Sequence, residues 1–330
     1  MLRPPVHLIQ TKVQNLFVIY TLNFEISSML PLYLEKLTTP ELHQRVETLH
    51  QLLFECRICP NECLAKRTKG ETGECHSTDE VIISSVGPHF GEEPPLVGTN
   101  GSGTIFFTNC NLSCEFCQNY DISHLGKGEI VSRAQLAGSM LQLQQRGCHN
   151  INLVTPTHFT PQIVDALILA IKQGLEIPIV YNCGGYESVE TLRLLENIVD
   201  IYMPDIKYSV DENALKYSGV QYYWATVKAA VKEMYRQVGD LKISKRGIGQ
   251  RGLLIRHLVL PNDVAGSKAV INFVADEISD NTYLNIMDQY RPTYHASKYP
   301  EINHQISPSE YKKVVDYAFS KGFRRGFEAL

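Results

Sequence analysis

From Thr104 to Met287 the chain alternates between short apolar runs and longer segments with helical spacing, and this alternation restricts the fold more than any other feature. The runs are Thr104–Thr108, Ile151–Thr155, Ile177–Asn182, Val199–Met203, Leu253–Leu260 and Thr282–Met287. Their length and apolar content read as strands. Between them, Ser132 caps a segment carrying Leu136, Met140, Leu141 and Leu143 that stops at Gly147. Thr160-Pro161 opens a second helix through Ile171, and Glu187–Glu196, Tyr222–Val238 and Lys268–Ile278 supply three more. Ser307-Pro308-Ser309-Glu310 combines a capping box with proline at the first helical position, and that helix runs to Gly322. Strands alternating with helices predict a parallel sheet. Six βα units are too few to close an eight-unit barrel. The expected fold class is therefore α/β, a partial (β/α)6 TIM-type barrel over residues 101–330. Chemistry in such folds lies on the loops after the strands, here after residues 108, 155, 182, 203, 260 and 287.

The first hundred residues read differently. Pro40–Phe54 carries Leu42, Val46, Leu49, Leu52 and Leu53 at helical spacing behind a Thr39 cap. Residues 55–100 are rich in Cys, Gly and Pro and read as a loop-dominated unit. Residues 29–100 are thus expected to form a helix plus a small Cys-rich metal-binding lobe. Residues 1–28 show no periodicity and are expected to be a poorly ordered extension. Their longest apolar stretch, Leu16–Phe24, is too short to span a bilayer. The expected location is cytoplasmic, with organelle targeting by residues 1–28 as an alternative. Hydrophobic residues make up 44%, charged residues 20% and the net charge is −4. That balance disfavours nucleic acid as a partner, and no membrane partner is expected.

Seven of the nine cysteines fall into two groups. A long chain with clustered cysteines is a candidate for metal binding rather than a disulfide scaffold. The second group reads Gly103-Thr-Ile-Phe-Phe-Thr-Asn-Cys110-Asn-Leu-Ser-Cys114-Glu-Phe-Cys117, a C-x3-C-x2-C loop directly after the first strand of the series. Three thiolates on one loop can hold three irons of a [4Fe–4S] cubane and leave the fourth iron open to a ligand. Phe116 is placed to shield such a cluster. The plainer readings are a zinc site, which would need a fourth ligand, and buried thiols.

On these residues the sequence resembles the radical S-adenosylmethionine (SAM) superfamily, and within it a subgroup related to the activating enzymes of pyruvate formate-lyase. Further phrases carry the resemblance: Phe90-Gly-Glu-Glu-Pro-Pro-Leu, Asn150-Ile-Asn-Leu-Val-Thr-Pro-Thr-His-Phe, Ile201-Tyr-Met-Pro-Asp-Ile-Lys-Tyr and Ile255-Arg-His-Leu-Val-Leu-Pro-Asn. It extends from about Met29 to the C-terminus and implies a fold with a radical SAM core. It also implies that SAM binds the open iron and is cleaved reductively to a 5′-deoxyadenosyl radical that takes hydrogen from a substrate. The partners implied are an electron donor such as a flavodoxin or ferredoxin and, in one version, a glycyl radical protein; small molecules, peptides and nucleic acid are the alternative substrates. Around SAM, the resemblance points to Thr155 and Thr157, standing where many relatives carry Gly-Gly-Glu, and to the turn with Asn182, Gly184 and Gly185. It points further to Asp205 with Lys207; Arg256, on the fifth strand, is placed to bind a carboxylate, and Gln289, after the sixth, to edge the adenine or the substrate. The plainer readings are an ordinary strand-to-helix turn at 182–185, a buried Asp205–Lys207 ion pair, and an Arg256 that pairs with protein carboxylates. His257 reads as a core histidine.

The first cysteine group, Cys56-x2-Cys59-x3-Cys63-x11-Cys75, has spacings that suit metal knuckles, with zinc and an auxiliary iron–sulfur cluster equally open. A competitor from another class is a non-catalytic zinc-binding interaction protein. It accounts for Cys56–Cys75 but not for the three-cysteine loop.

Overall fold

The computed structural model describes residues 29–327, so the expectations for residues 1–28 lie outside the described residues. The six expected strands are present as β2 (Ser102–Phe107), β4 (Ile151–Val154), β5 (Ile179–Cys183), β6 (Ile201–Pro204), β8 (Gly249–Leu258) and β9 (Tyr283–Met287). They pair in parallel in that order. Three further strands were not legible: β1 (Val81–His89), β3 (Glu129–Val131) and β7 (Lys242–Ile243). β1 adds antiparallel to the outer edge of β2, β3 adds to β1, and β7 runs antiparallel to β8. The sheet ends at β3 on one side and, beyond β8, at β7 and β9 on the other without joining, so it is open.

Alternation along the strands sorts side chains onto two faces. The outer face carries Ile105, Phe107, Ile151, Leu153, Ile179, Tyr181, Tyr202, Leu253 and Ile255 in the main core. Helices cover it: α1 (Thr39–Gln51), α2 (Arg133–Gln145), α3 (Thr160–Lys172), α4 (Val189–Leu194), α5 (Asp211–Ser218), α6 (Tyr223–Val238), α7 (Ser267–Phe273) and α8 (Pro308–Ser320). In α6, buried Tyr223, Val227, Ala230, Val231, Met234 and Val238 recur three or four residues apart, the stripe of a helix packed on one side. The inner face carries a second, smaller core of Leu96, Val180, Ile201, Met203, Leu241 and Leu254. Leu96 comes from a short helical turn, Pro94–Val97, so this segment plugs the inside of the open barrel.

Two expectations are corrected. The cap of α1 is Thr38, one residue earlier than Thr39, because Thr38 accepts from the Glu41 N–H while Glu41 accepts from the Thr38 N–H. The Cys-rich stretch is not a separate lobe. Leu49, Leu53, Cys56, Ile58 and Cys59 share the barrel's own core, and Val81–His89 is a sheet strand. So short a stretch with few large apolar side chains cannot bury enough surface alone, so it packs on the barrel instead. Among the described residues no helix is long and apolar enough to cross a membrane.

One buried carboxylate ties the start of the described chain to the sheet. Asp200 accepts from the Leu32 N–H (2.7 Å) and from the Ile179 N–H (2.9 Å). An Asp200→Ala substitution strands two buried donors, a loss of about 2–5 kcal/mol. The denaturation midpoint should fall with an unchanged slope. A midpoint equal to wild type would show that water or another acceptor takes both groups.

Candidate functional site

The strand ends place a polar set on the inner face, above the small apolar core. Asn182 follows Val180 on β5, Asp205 follows Met203 beyond β6, Arg256 follows Leu254 on β8, and each keeps the inward parity of its strand. Asp205 and Arg256 pair across the strand ends. Arg256 Nε donates to Asp205 Oδ1 (2.7 Å), Arg256 Nη2 to Asn182 Oδ1 (2.8 Å) and Lys207 Nζ to Asp205 Oδ2 (2.6 Å). Burial by itself would raise Asp205; Arg256 and Lys207 outweigh it and hold the carboxyl down at about 2. Burial disfavours the charged form of Lys207, but Asp205 and Cys114 more than offset it and raise its pKa above the ordinary lysine range. All three groups are therefore ionised at neutral pH.

The cysteine loop lies over this network. It leaves β2 through Asn109, whose positive φ of 66° turns the chain and whose amide donates to Ser77 Oγ (3.0 Å). The end of α5 grips it: the Ser113 and Glu115 N–H groups donate to the carbonyls of Ser218 (3.1 Å) and Tyr217 (2.8 Å). Asn111 Nδ2 donates to the Tyr186 carbonyl (2.8 Å). Phe116 is buried edge-on against Tyr208 and Tyr290, with centroids 6.4 and 5.7 Å away. A cavity of about 160 Å³ is lined by Cys110, Cys114, Cys117, Thr155, Asn182, Cys183, Gly184, Asp205, Lys207 and Arg256 together. Thr155 has a left-handed φ of 58°, a costly conformation for a β-branched residue and of the kind that clusters at functional sites.

Three expected residues lie elsewhere. Thr157 is fully buried and donates to Glu187 Oε1 (2.7 Å). Gly185, at φ 78°, sits against backbone; a Cβ there would lie 2.2 Å from the Asp205 carbonyl oxygen, so its absence of side chain serves strand packing. Gln289 lines a neighbouring groove shared with Arg256. Tyr290 donates to the Ile302 carbonyl (2.7 Å), and His257 is a satisfied core residue between the Ile206 carbonyl (2.7 Å) and Ser267 Oγ (2.9 Å). The reading of Arg256 as a partner of protein carboxylates also holds, since Asp205 and, at 3.5 Å, Glu92 both face it.

Sequence reasoning missed Ser218, Ser123, Glu187 and Glu92. Cys114 Sγ lies 3.0 Å from Ser218 Oγ, Cys117 Sγ lies 3.0 Å from Ser123 Oγ, and the Leu112 N–H points at Cys110 Sγ (3.4 Å). The signal for Ser218 was a helix opened by Asp211-Glu212 and closed by Gly219 at left-handed φ. All nine cysteines are free, and among the described residues no three His, Cys, Asp or Glu donors are already drawn together as a metal-binding group. The chemistry of the donor set fits an iron–sulfur cluster nonetheless. Each of the three sulfurs on the loop has a hydroxyl or N–H neighbour of the kind that stabilises cluster sulfur, and a lysine cation stands beside them.

The Radical SAM superfamily matches residues 104–252. Uncharacterized protein MJ0674 of Methanocaldococcus jannaschii is 30% identical over 284 residues, 84% of this chain and 78% of the relative. A second protein of that organism, uncharacterized protein MJ0808, is 25% identical over 276 residues, covering 77% and 75%. The chain belongs to the radical SAM superfamily. Among solved structures it is similar to anSMEcpe with bound AdoMet and a Cp18Cys peptide (TM-score 0.44, 13% identity, 64% of this chain and 56% of that one). It is also similar to HydG, a maturase of the [FeFe]-hydrogenase (TM-score 0.44, 12% identity, 87% and 62%). It spans under two thirds of the length of either solved chain.

Glu187 gives the site a pH signature. Burial raises its carboxyl to about 7, against the hydrogen bonds from Thr157 and Tyr181. A raised acid stabilises the fold fully below its unfolded value near 4.5 and loses that contribution as pH rises through about 7. The wild type should therefore be more stable at pH 5.5 than at pH 8.5, by about 2 kcal/mol from this group. Glu187→Gln still accepts from Thr157 and should flatten that difference in chemical denaturation. An unchanged pH dependence would assign it to other groups.

Proposed function

We propose that Cys110, Cys114 and Cys117 hold a [4Fe–4S] cluster and that the adjoining cavity holds SAM. When bound, the cluster would supply the electron that cleaves SAM to methionine and a 5′-deoxyadenosyl radical able to take a hydrogen atom from a substrate. The observation that carries this reading is that the three cysteines of one loop line the same cavity as the Asp205–Lys207–Arg256 network. Lys207 presents a fixed cation to the carboxylate of SAM. Thr155 and Asn182 offer neutral polar groups to its amine and ribose. Gly184 leaves room for close approach of the ligand. Because the network is already closed on itself, it meets the ligand without reorganising. The reductant belongs to the flavodoxin or ferredoxin class.

The resemblance suggests two kinds of hydrogen donor, a glycyl radical protein and a small molecule or peptide. The groove beside Arg256, described below, favours the second. A non-catalytic zinc-binding protein would leave this cavity and its three cysteines without a role.

Anaerobic iron and sulfide analysis with EPR of the dithionite-reduced protein tests the reading. Wild type should show a reduced [4Fe–4S] signal that shifts with SAM, and a Cys110/Cys114/Cys117→Ala variant should lose it. Zinc alone, with no cluster after reconstitution, would defeat the proposal.

A second metal is proposed at Cys56, Cys59, Cys63 and Cys75, as zinc or an auxiliary cluster. Its support is Arg67, which is 0% exposed and donates to the Thr78 carbonyl from Nε (3.1 Å) and Nη2 (2.5 Å), with Nη1 3.9 Å from Cys56 Sγ. No carboxylate pairs with it among the described residues. A buried guanidinium needs negative charge nearby, and metal-bound thiolates supply it. The chain also passes close to these sulfurs, since a Cβ on Gly73 would lie 2.3 Å from Cys63 Sγ. Cys75→Ser should lower the metal content while leaving the SAM-responsive EPR signal in place; unchanged metal content would overturn the assignment.

A further inference from the structure

The open edge of the barrel holds a groove of about 310 Å³ between residues 91–94 and β9. Arg256 lines both this groove and the cysteine-lined cavity, so the two adjoin at that side chain. A substrate seated in the groove therefore lies next to the proposed radical chemistry.

Glu93 sets the chemistry of the groove. Its side chain lines the groove, yet the residue is only 6% exposed. Oε1 accepts from Asn285 Nδ2 (2.8 Å), whereas Oε2 is buried without any hydrogen-bond partner. Nor does Glu93 cap the helical turn that follows it. The neighbouring acid is differently placed: Glu92 lies 3.5 Å from both Arg256 Nη1 and His89 Nδ1. Arg256 acts on Glu93 electrostatically from across the groove, but no donor reaches Oε2. Arg256 makes no hydrogen bond to it: its Nε and Nη2 donate to Asp205 and Asn182, and its Nη1 lies 3.5 Å from Glu92. A carboxylate oxygen buried without a partner is costly, and a donor arriving with a ligand removes that cost. Asp288, which also lines the groove, adds to its negative character.

We propose that this groove is the substrate subsite and that Glu93 receives a cationic amine of the substrate, an alkylammonium group whose N–H bonds to the free Oε2. The substrate class is then an amine-bearing small molecule. This rests on the reading that the chain cleaves SAM, and it deepens that reading by naming the chemistry of the hydrogen donor.

The test uses the reconstituted, cluster-loaded protein with SAM. Binding of 1,5-diaminopentane and of its neutral counterpart 1,5-pentanediol is followed by saturation-transfer NMR in wild type and in Glu93→Gln. The diamine should bind wild type saturably and the diol should not. Glu93→Gln should weaken the diamine about 10- to 100-fold, the worth of one buried charge-assisted hydrogen bond. Gln still accepts from Asn285 and removes a buried unpaired charge, so this variant should fold with a melting temperature at or above that of ligand-free wild type. Equal diamine binding in the two proteins, no binding to wild type, or a Glu93→Gln variant that is destabilised or unfolded would each overturn the proposal. Loss of the SAM-induced EPR shift in Glu93→Gln would also overturn it, by assigning Glu93 to SAM. Failure of the SAM reading itself shows separately, as absence of that shift in wild type.

Discussion

Arg256 and Asp205 form the contact on which the rest of the site depends. Their side chains join β8 to the end of β6, and Arg256 reaches on to Asn182 of β5. Neither charge would be tolerable alone at this depth, because a buried ion without a partner loses its hydration for nothing. Lys207 makes the set of three charges cationic overall and stands beside Cys114. The network thereby fixes three strand ends relative to one another and sets the electrostatics facing the cysteine loop.

The inner face changes character over a single step along each strand. Val180, Met203 and Leu254 belong to the small core plugged by Leu96, and two residues further on stand Asn182, Asp205 and Arg256. The apolar floor denies water to the underside of the ion network, which keeps its charges strong. Because the sheet does not close between β9 and the β1–β3 edge, the segment carrying Glu92, Glu93 and Leu96 fills part of the gap and leaves a groove beside it. An open barrel thus gives the site two faces, one under the cysteines and one at the edge.

The cysteine loop has little structure of its own. Its backbone donors are met by the last residues of α5, a hundred positions later, and its Asn111 by Tyr186. Asn61 Nδ2 also donates to the Asn111 carbonyl (2.9 Å), which links the loop to the first cysteine group. The loop is therefore shaped by the folded barrel, and the three sulfurs inherit the rigidity of the elements around them.

The order of strands and helices was legible in the sequence because apolar periodicity and caps are local signals, and β2, β4, β5, β6, β8 and β9 fall where those signals put them. The cysteine triplet was legible for the same reason, since three cysteines within eight residues need no tertiary information. β1 was hidden by its half-exposed, Ser- and Gly-containing sequence, and α5 by its short length. Thr157 and Gly185 sit beside cavity-lining residues in sequence but meet Glu187 and the Asp205 backbone instead, and Gln289 lines the neighbouring groove, which only the packed strand ends decide. The sequence by itself determined the alternating α/β framework, the three-cysteine loop and the superfamily it points to. Tertiary structure alone decided that Asp205, Lys207 and Arg256 close into one network and that Glu93 is left with an unmet oxygen. Partners up to about two hundred residues apart, such as Glu93 and Asn285, meet only when the sheet curls, and no local pattern records that meeting.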